Sequence, residues 1–341
     1  MRSRLAIFLV LGVSLVFGLL FARQMWLSRN LSREQFTDKK LRVLTYSTFV
    51  GAAGPGAEIL NRFQKEHKCK IEVVTSDDAG LLLERLKLAQ VSVPFDVVIG
   101  LDQFMLEAAR AKSQWLEVPL ERSTWRVEAQ VQDDLAFTPF DWSPMAFVYR
   151  QGPLSAPKSF DDLLDPRFLD KIALQDPRAS SPGLQFYNWV ESVKGTGSGE
   201  FLARLKPNVQ SVSPSWALAY GLFQKEQAQL VFSYVTSLAF HWGVDQDRTF
   251  QIAVFPEGHP VQVEYAAVPA DCRECDLARA LVATLVQPEA QLVIMQKNFM
   301  FPILSEIEKG TVFAELPRVQ TLSNPASRSR DLSDWDKVFQ Q

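Results

Sequence analysis

Cysteine, histidine and the short motifs of common enzymes are scarce in this chain. Its 341 residues include three Cys and three His, which excludes a small scaffold held by many disulfides. The histidines, His67, His241 and His259, are far apart, and none forms a pair with metal-ligand spacing. The sequence has no Gly-x-Ser-x-Gly motif and no Gly-x-x-x-x-Gly-Lys phosphate loop. Nothing here argues for a metal centre, a cofactor or an enzyme.

Long hydrophobic runs are also few. One stretch, residues 5–22, is apolar and long enough to engage a bilayer. It follows Arg2 and Arg4, an arrangement typical of an export signal. We therefore predict that residues 1–30 are a signal peptide or an N-terminal membrane anchor, followed by a linker at 31–40. Cleavage and retention of residues 5–22 as a tether both stay open, and either places the rest of the chain outside the cytoplasm.

Negative charge exceeds positive charge after this segment. Residues 1–30 hold four of the 36 Lys and Arg and none of the 39 Asp and Glu, which leaves 32 basic and 39 acidic groups in the rest. A nucleic-acid partner is therefore not expected. The remaining length is sufficient for two packed cores.

Short β-branched runs alternate with amphipathic segments from residue 41 onward. The runs predict strands at residues 41–46, 70–75, 95–100, 171–175, 229–233 and 250–255. The amphipathic segments predict helices at 57–67, 81–90, 103–112, 276–287 and 289–297, and others that begin near Pro182, Pro214 and Thr236. Such alternation is typical of an α/β fold with a mostly parallel sheet.

Two extended segments, residues 137–149 and 261–268, indicate that the chain crosses twice between two α/β lobes. We predict lobes that are each a mixed sheet flanked by helices and that are joined by a hinge. The expected bounds are 41–140 plus 257–310 for lobe 1, 141–256 for lobe 2, and 311–341 for a tail with a short helix. Ligands of open α/β sheets bind outside the carboxyl ends of the strands, so we expect the site in the cleft between the lobes.

A helix N-terminus and a set of aromatic residues are the candidate site features. Ser180 to Gly183 read Ser-Ser-Pro-Gly, a pattern that directs backbone N–H groups at an anion, although an ordinary capped helix explains it too. The aromatic residues near predicted element ends are Tyr46, Trp216, Tyr220, Tyr234, Phe240 and Phe299. They form either a cage for a planar or cationic ligand or part of the core. Asp77 and Asp78 either neutralise such a cation or cap the following helix.

Cys272 and Cys275 form a Cys-x-x-Cys motif just ahead of a predicted helix. In an exported protein, we expect them to form a small disulfide that closes the turn. A redox or metal role is the alternative. Cys69 is then unpaired.

A series of short motifs runs in order from about Leu41 to Pro302. It comprises residues 45–46 with Phe49, 54–56, 96–102, 139–141, 146–149, 175–178 with 182–184, Trp216 with 219–223, 233–234 with 236–237, 262–264, and Asn298 with Met300 and Pro302. In order and spacing, these motifs resemble those of the periplasmic thiamine-binding proteins of ABC transporters, which belong to the two-lobed solute-binding superfamily. The likeness covers most of the exported part.

The resemblance implies a periplasmic-binding-protein-like fold that captures thiamine, thiamine monophosphate or thiamine diphosphate and delivers it to an ABC transporter permease in the inner membrane. It further implies a periplasmic monomer without catalysis. The ligand contacts that it implies are Tyr46, Asp78, Ser180, Trp216 and Tyr234, with Phe240 and Phe299 in the same cleft. Aromatic faces and a carboxylate suit the thiazolium cation, and the helix at Ser180 suits a phosphate.

Four positions depart from the family pattern. Phe240 stands where the family usually has Tyr, and Phe299 and Ala53 stand where it has Trp. Cys69 lacks the second cysteine of a family disulfide, since His67 occupies that position. Smaller or less polar cleft residues leave open the exact ligand and its phosphorylation state.

Two other hypotheses follow from the same residues. The first keeps the fold and replaces the ligand by another small cation, such as a polyamine, or by an organic phosphate. The second is an anchored sensor or enzyme that uses the same cleft, with Cys272 and Cys275 as a redox pair.

Overall fold

The computed structural model describes residues 36–89, 94–126, 134–304, 306–322 and 331–340. The predicted signal or anchor at 1–30, its tether at 5–22 and the first half of the linker, residues 31–35, lie outside the described residues. In the described part, no single helix is long and apolar enough to cross a membrane. Cys275–Leu285 and Pro288–Lys297 reach that size only together, across a bend of 66°.

The strands of the described residues join into one mixed sheet. They are β1 Lys40–Tyr46, β2 Lys70–Ser76, β3 Val97–Asp102, β4 Trp115–Leu116, β5 Phe137–Arg150, β6 Ile172–Gln175, β7 Val209–Ser213, β8 Leu230–Tyr234, β9 Phe250–Ala253, β10 Val261–Pro269 and β11 Phe301–Pro302. The main order is β2-β1-β3-β10-β5-β8-β6-β7, with β4 beside β10, and with β9 and β11 beside β5.

Helices connect and cover these strands. They are α1 Ser47–Val50, α2 Pro55–His67, α3 Leu82–Ala89, α4 Leu106–Lys112, α5 Ser181–Lys194, α6 Ser198–Leu205, α7 Trp216–Gln224, α8 Ser237–Gly243, α9 Cys275–Leu285, α10 Pro288–Lys297 and α11 Ser333–Phe339. Most begin within three residues of the predicted position. Helix α4 begins at Leu106, three residues after its predicted start at 103. The delay arises because Asp102 Oδ1 first accepts from the N–H groups of Phe104 and Met105 at 2.8 and 3.1 Å.

Strand β5 is shared by two halves of the sheet. Its first part, residues 137–144, pairs with β10, whereas residues 145–150 pair with β8 and β9. We call the half with β1, β2, β3 and β10 lobe 1, and the half with β6, β7, β8 and β9 lobe 2. The segment predicted to cross between lobes is therefore one continuous strand; the exact lobe bounds stay a prediction.

The outer strand pairs are parallel, and the central ones are not. β1 pairs parallel with β2 and β3, and β6 pairs parallel with β7 and β8. β5 and β10 pair antiparallel with each other and with their neighbours β8 and β3. The expectation of a mostly parallel sheet is wrong at the centre, because β5 and β10 run between lobes instead of following a helical crossover.

Lobe 2 has a core rich in aromatic side chains. Trp189 lies at its centre, fully buried, with Phe160 and Phe255 at ring-centroid distances of 4.6 and 5.4 Å. A second apolar core fills lobe 1 and continues to Tyr220 and Leu238 on the cleft side of lobe 2. Burial of each large apolar side chain stabilises the fold by roughly 1.5–3 kcal/mol, so the strand ends at the cleft rest on rigid supports.

Candidate binding cleft

A cavity of about 480 Å³ lies between the lobes, at the carboxyl ends of β1, β2 and β8. This volume falls in the usual range of small-molecule sites. Lobe 1 contributes Tyr46, Asp78 and Phe299, and lobe 2 contributes Trp216, Tyr234 and Phe240. Six of the seven predicted site residues thus line one cavity. The seventh, Ser180, contacts Asp78 beside it.

Aromatic rings form much of the cavity wall. Trp216 stacks on Tyr220 with ring centroids 4.8 Å apart and planes at 25°, and it lies 6.2 Å from Tyr234. Across the cavity, Phe240 meets Phe299 edge to face at 5.2 Å. The predicted aromatic residues therefore surround one cavity, and their role as a cage for a ligand stays a prediction. Such faces attract a planar or cationic ligand.

Hydrogen bonds hold two of these rings from behind. Trp216 Nε1 donates to Ser233 Oγ at 2.8 Å. Tyr220 OH lies 2.8 Å from His241 Nε2, and His241 Nδ1 lies 2.8 Å from Asp245 Oδ2. Burial lowers the pKa of His241, so the neutral ring donates through Nδ1 and accepts from the tyrosine. The rings of Trp216 and Tyr220 are held in place before any ligand arrives.

Asp78 occupies the helix N-terminus that was expected to bind an anion. Its carboxylate accepts from Ser181 N at 3.2 Å, Trp216 N at 2.9 Å, Gly80 N at 3.3 Å and Ser180 Oγ at 3.1 Å. The sequence pattern suggested that the Ser180 hydroxyl caps α5. The structure corrects this, because the Ser180 side chain makes no capping hydrogen bond to that helix. Of the two roles proposed for Asp78, the structure shows capping, since its carboxylate caps the turn that follows it and two helices of the other lobe.

The floor of the cavity holds a network of polar side chains. Tyr46 OH donates to Glu264 Oε2 at 2.7 Å and accepts from Asn298 Nδ2 at 3.1 Å. Asn298 Nδ2 also donates to Asp141 Oδ2 at 2.7 Å, and Gln262 Nε2 donates to Glu264 Oε1 at 3.2 Å. Asp141 and Glu264 are both buried. This network joins β1, β5, β10 and the end of α10 where the lobes meet.

Burial dominates the electrostatics of the floor. It raises the pKa of Glu264 to about 8 and raises that of Asp141 well above its usual range, with the Glu264 charge adding to the second rise. Burial also raises the pKa of Tyr46, so its hydroxyl stays protonated and donates. The same cause raises the pKa of Asp78, which its hydrogen bonds oppose.

Sequence reasoning gave no role to Glu264, Asp141, Gln262 or Asn298, although all four stand in the motifs that carry the resemblance. A usable signal was present: Glu264 is the one charged residue within the apolar run of β10, and a charge inside a buried strand needs a reason. Asp77, predicted together with Asp78, lines the cavity but is exposed.

Cys272 and Cys275 form the expected disulfide, with Cα atoms 5.3 Å apart, and Cys69 is buried and free. Asp96 supports the disulfide turn, because its Oδ1 accepts from the N–H groups of Arg273 and Glu274 at 2.7 and 3.0 Å. The disulfide closes the turn before α9 and does not line the cleft. Among the described residues, no group of three or more His, Cys, Asp and Glu is arranged to hold a metal ion.

Comparison with known proteins adds independent findings. Residues 41–299 match the family model described as bacterial extracellular solute-binding protein. A thiamine-binding periplasmic protein of Brucella melitensis is 37% identical over 264 residues, which cover 77% of this chain and 79% of the relative. A protein of the same name from Escherichia coli is 31% identical over 309 residues, which cover 89% and 94%.

Solved structures agree in fold. A periplasmic thiamin binding protein superposes with a TM-score of 0.82 at 30% identity, covering 88% of this chain and 96% of that one. A ferric binding protein from Campylobacter jejuni gives 0.72 at 15% identity, covering 88% and 99%, a likeness of fold alone.

Proposed function

This chain belongs to the bacterial extracellular solute-binding proteins, and on that premise we propose that it captures thiamine in the periplasm, in the cleft between its two lobes. Closure of two lobes around a ligand is a known mode of switching. A membrane permease then recognises the closed form. The relatives named above are binding proteins for thiamine.

The observation that carries the proposal is the pairing of aromatic walls with an acidic floor. Trp216, Tyr220 and Tyr234 offer π faces on one side of the cavity, and Phe299 lies on the other. Glu264 lines the same cavity. A flat aminopyrimidine stacks on such rings, and a thiazolium cation gains from both the rings and a carboxylate.

We propose that unphosphorylated thiamine is preferred over its mono- and diphosphate. The backbone N–H groups of Ser181 and Trp216 are the donors that a phosphate would use, and the Asp78 carboxylate already accepts from both. A phosphate must therefore displace Asp78 or lie beside its negative charge, and either is unfavourable.

Further features of the proposal concern how the protein works in the cell. It acts as a monomer, without catalysis, and delivers its ligand to an ABC transporter permease in the inner membrane. Residues 5–22, if retained, tether it to that membrane near the permease. The disulfide between Cys272 and Cys275 lies outside the cleft lining, which supports a structural role over the redox alternative.

Titration calorimetry of the purified protein, stripped of bound ligand, tests the proposal. Thiamine, its monophosphate, its diphosphate, spermidine and inorganic phosphate are compared. We expect one saturable site with the highest affinity for thiamine. Thermal unfolding is a second measurement. A true ligand at about a hundred times its Kd should add roughly 2.7 kcal/mol to the free energy of unfolding. Binding of spermidine or phosphate without any thiamine species would support the alternative ligands instead.

A variant pair ties binding to the cleft. Trp216→Ala removes a cavity ring, and we expect it to weaken thiamine binding by about 1–3 kcal/mol. Trp242→Ala removes a ring of the same size that lines no part of the cavity and serves as the control. Equal affinities of Trp216→Ala and the unmodified protein would refute the assignment of the site.

A further inference from the structure

Two buried carboxyl groups share the floor of the cleft. Asp141 on β5 and Glu264 on β10 are cross-strand neighbours in the antiparallel pair that joins the lobes. Asp141 is fully buried and Glu264 is 4% exposed. Glu264 faces the cavity, and Tyr46 and Asn298 link it to Asp141. One of the two acids can therefore touch a ligand, and the other lies close behind it.

The described hydrogen-bond partners of this pair are neutral. Glu264 accepts from Tyr46 OH and Gln262 Nε2, and Asp141 accepts from Asn298 Nδ2. Asp141 Oδ1 and Gln262 Oε1 are buried and have no partner in the described part of the chain. Two adjacent carboxylates without a cation are costly in a buried site, so such pairs retain a proton.

Surrounding groups add negative charge and little positive charge. Those that face the pair or line the cavity around it are Tyr46 on β1, Asp77 and Asp78 after β2, Asp102 on β3, Tyr220 on α7, Tyr234 on β8 and Lys297 at the end of α10. Lys297 is the cation of this set, and its Nζ lies 2.7 Å from Glu58 Oε2. The described charged groups around the floor are therefore mainly acidic, and a cationic ligand would balance their charge.

Asp78 is poorly placed to meet a cationic ligand. Its two oxygens already accept from Ser181 N, Trp216 N, Gly80 N and Ser180 Oγ. Glu264 lines the same cavity, but its described donors are two neutral side chains, Tyr46 OH and Gln262 Nε2, instead of N–H groups at helix starts.

We propose, on the basis of the proposed capture of thiamine, that Glu264 receives the thiazolium cation and that the arrival of this cation expels the proton held by Glu264 beside Asp141. The O–H bond of the carboxylic acid breaks, its proton passes to the solvent, and the carboxylate forms an ion pair with the ring. No covalent bond to the ligand forms and no electron is transferred. Burial raises the pKa values of both acids, as expected for acids that hold a proton until a cation arrives.

Proton linkage makes the inference measurable. Burial raises the pKa of Glu264 to about 8. At lower pH the empty cleft therefore holds the proton and the occupied cleft does not, so the affinity should rise with pH up to that value. Loss of one proton on binding gives about a tenfold gain in affinity per pH unit between pH 6 and 7.5. The rise should level off near pH 8.5.

Titration calorimetry of thiamine at pH 7, in buffers of different ionisation enthalpy, counts the protons released. We expect close to one per ligand with the unmodified protein. In Glu264→Gln, which has no acid at that position, release should fall toward zero, and the affinity should be weaker and independent of pH. In Asp141→Asn, a neutral amide replaces an acid whose own pKa is raised well above its usual range by burial, so Glu264 should keep its proton in the empty cleft and the release should stay close to one. Asp96→Asn changes a buried acid of lobe 1 outside the cleft lining, and it should keep the release.

The possible failures are distinct. If no thiamine binds, the proposed function is wrong. If thiamine binds the unmodified protein with no proton release and a flat affinity between pH 6 and 8.5, the proton exchange is wrong and the proposed function stands. Since that measurement needs no variant, a Glu264→Gln protein that fails to fold would not prevent the test.

Discussion

Asp78 connects the lobes through one side chain. It lies in lobe 1, and its carboxylate accepts from N–H groups at the starts of α5 and α7 in lobe 2. Helix N-termini carry partial positive charge, so a buried carboxylate is stabilised there. The same donors would otherwise be free to bind a phosphate. We therefore propose that Asp78 disfavours the binding of anions in the cleft.

Asp78→Asn removes that charge from the two helix starts. We expect the ratio of affinities for thiamine monophosphate and thiamine to shift toward the monophosphate by about 10-fold or more, or about 1.4 kcal/mol, because the phosphate no longer meets a carboxylate. Calorimetric titration with both ligands measures the ratio. The control, Asp77→Asn, removes the same charge from the adjacent exposed position and should change the ratio less. Equal shifts in the two variants would contradict a specific role for Asp78.

The C-terminal helix α11 is an element of lobe 2. Trp335 on this helix is fully buried and packs edge to face on Tyr187 of α5 at 6.4 Å. Tyr187 OH donates to Asp331 O at 2.8 Å, and Lys206 Nζ donates to Val338 O at 2.6 Å. The tail thus covers the lobe 2 core on a side that does not line the cleft.

Trp335→Ala should lower the free energy of unfolding by about 3–5 kcal/mol, since it leaves a large cavity. Urea denaturation of the ligand-free protein measures this loss. Lys337→Ala changes an exposed side chain of the same helix and should stay within about 0.5 kcal/mol of the unmodified protein. The affinity of the folded Trp335→Ala protein for thiamine should not change; a large loss of affinity would mean that α11 acts on the cleft.

At the scale of the whole molecule, the lobes meet closely at Gly80. A Cβ atom there would lie 2.4 Å from Ala179 O and 2.9 Å from Ser180 N of lobe 2. Both of these are backbone atoms, which cannot move aside without shifting the start of α5. The absence of a side chain at residue 80 therefore allows the lobes to approach until Asp78 reaches its donors.

Gly80→Ala should hold the lobes apart. Overpacking of this kind costs about 1–3 kcal/mol, so we expect thiamine affinity to fall by about 5- to 150-fold. Small-angle X-ray scattering with saturating thiamine should show a larger radius of gyration than for the unmodified protein. Gly197→Ala is the control, because a Cβ there meets no atom within 4 Å. Normal affinity and size in Gly80→Ala would exclude this contact from closure.

The sequence alone determined the elements and the chemistry of single positions. The strand and helix periodicities located most of the described elements, although β7 and α6 and the short elements α1, β4 and β11 were not predicted. Aromatic residues at element ends, such as Trp216 and Tyr234, were identifiable because strand ends in α/β folds point to the ligand site. The Cys272–Cys275 disulfide followed from short spacing, which needs no knowledge of the fold.

Only the tertiary structure decided which distant residues act together. Glu264 and Asp141 are 123 positions apart, and antiparallel pairing of β5 with β10 makes them neighbours. Asp78 finds its donors at Ser181 and Trp216 because the lobes close on each other. Local periodicity reports the environment of each segment by itself, whereas charge, burial and proton affinity depend on groups that arrive from other segments. For that reason the aromatic residues of the cleft and Asp78 could be named from the sequence, whereas the acidic pair of the floor and the way these residues act together could not.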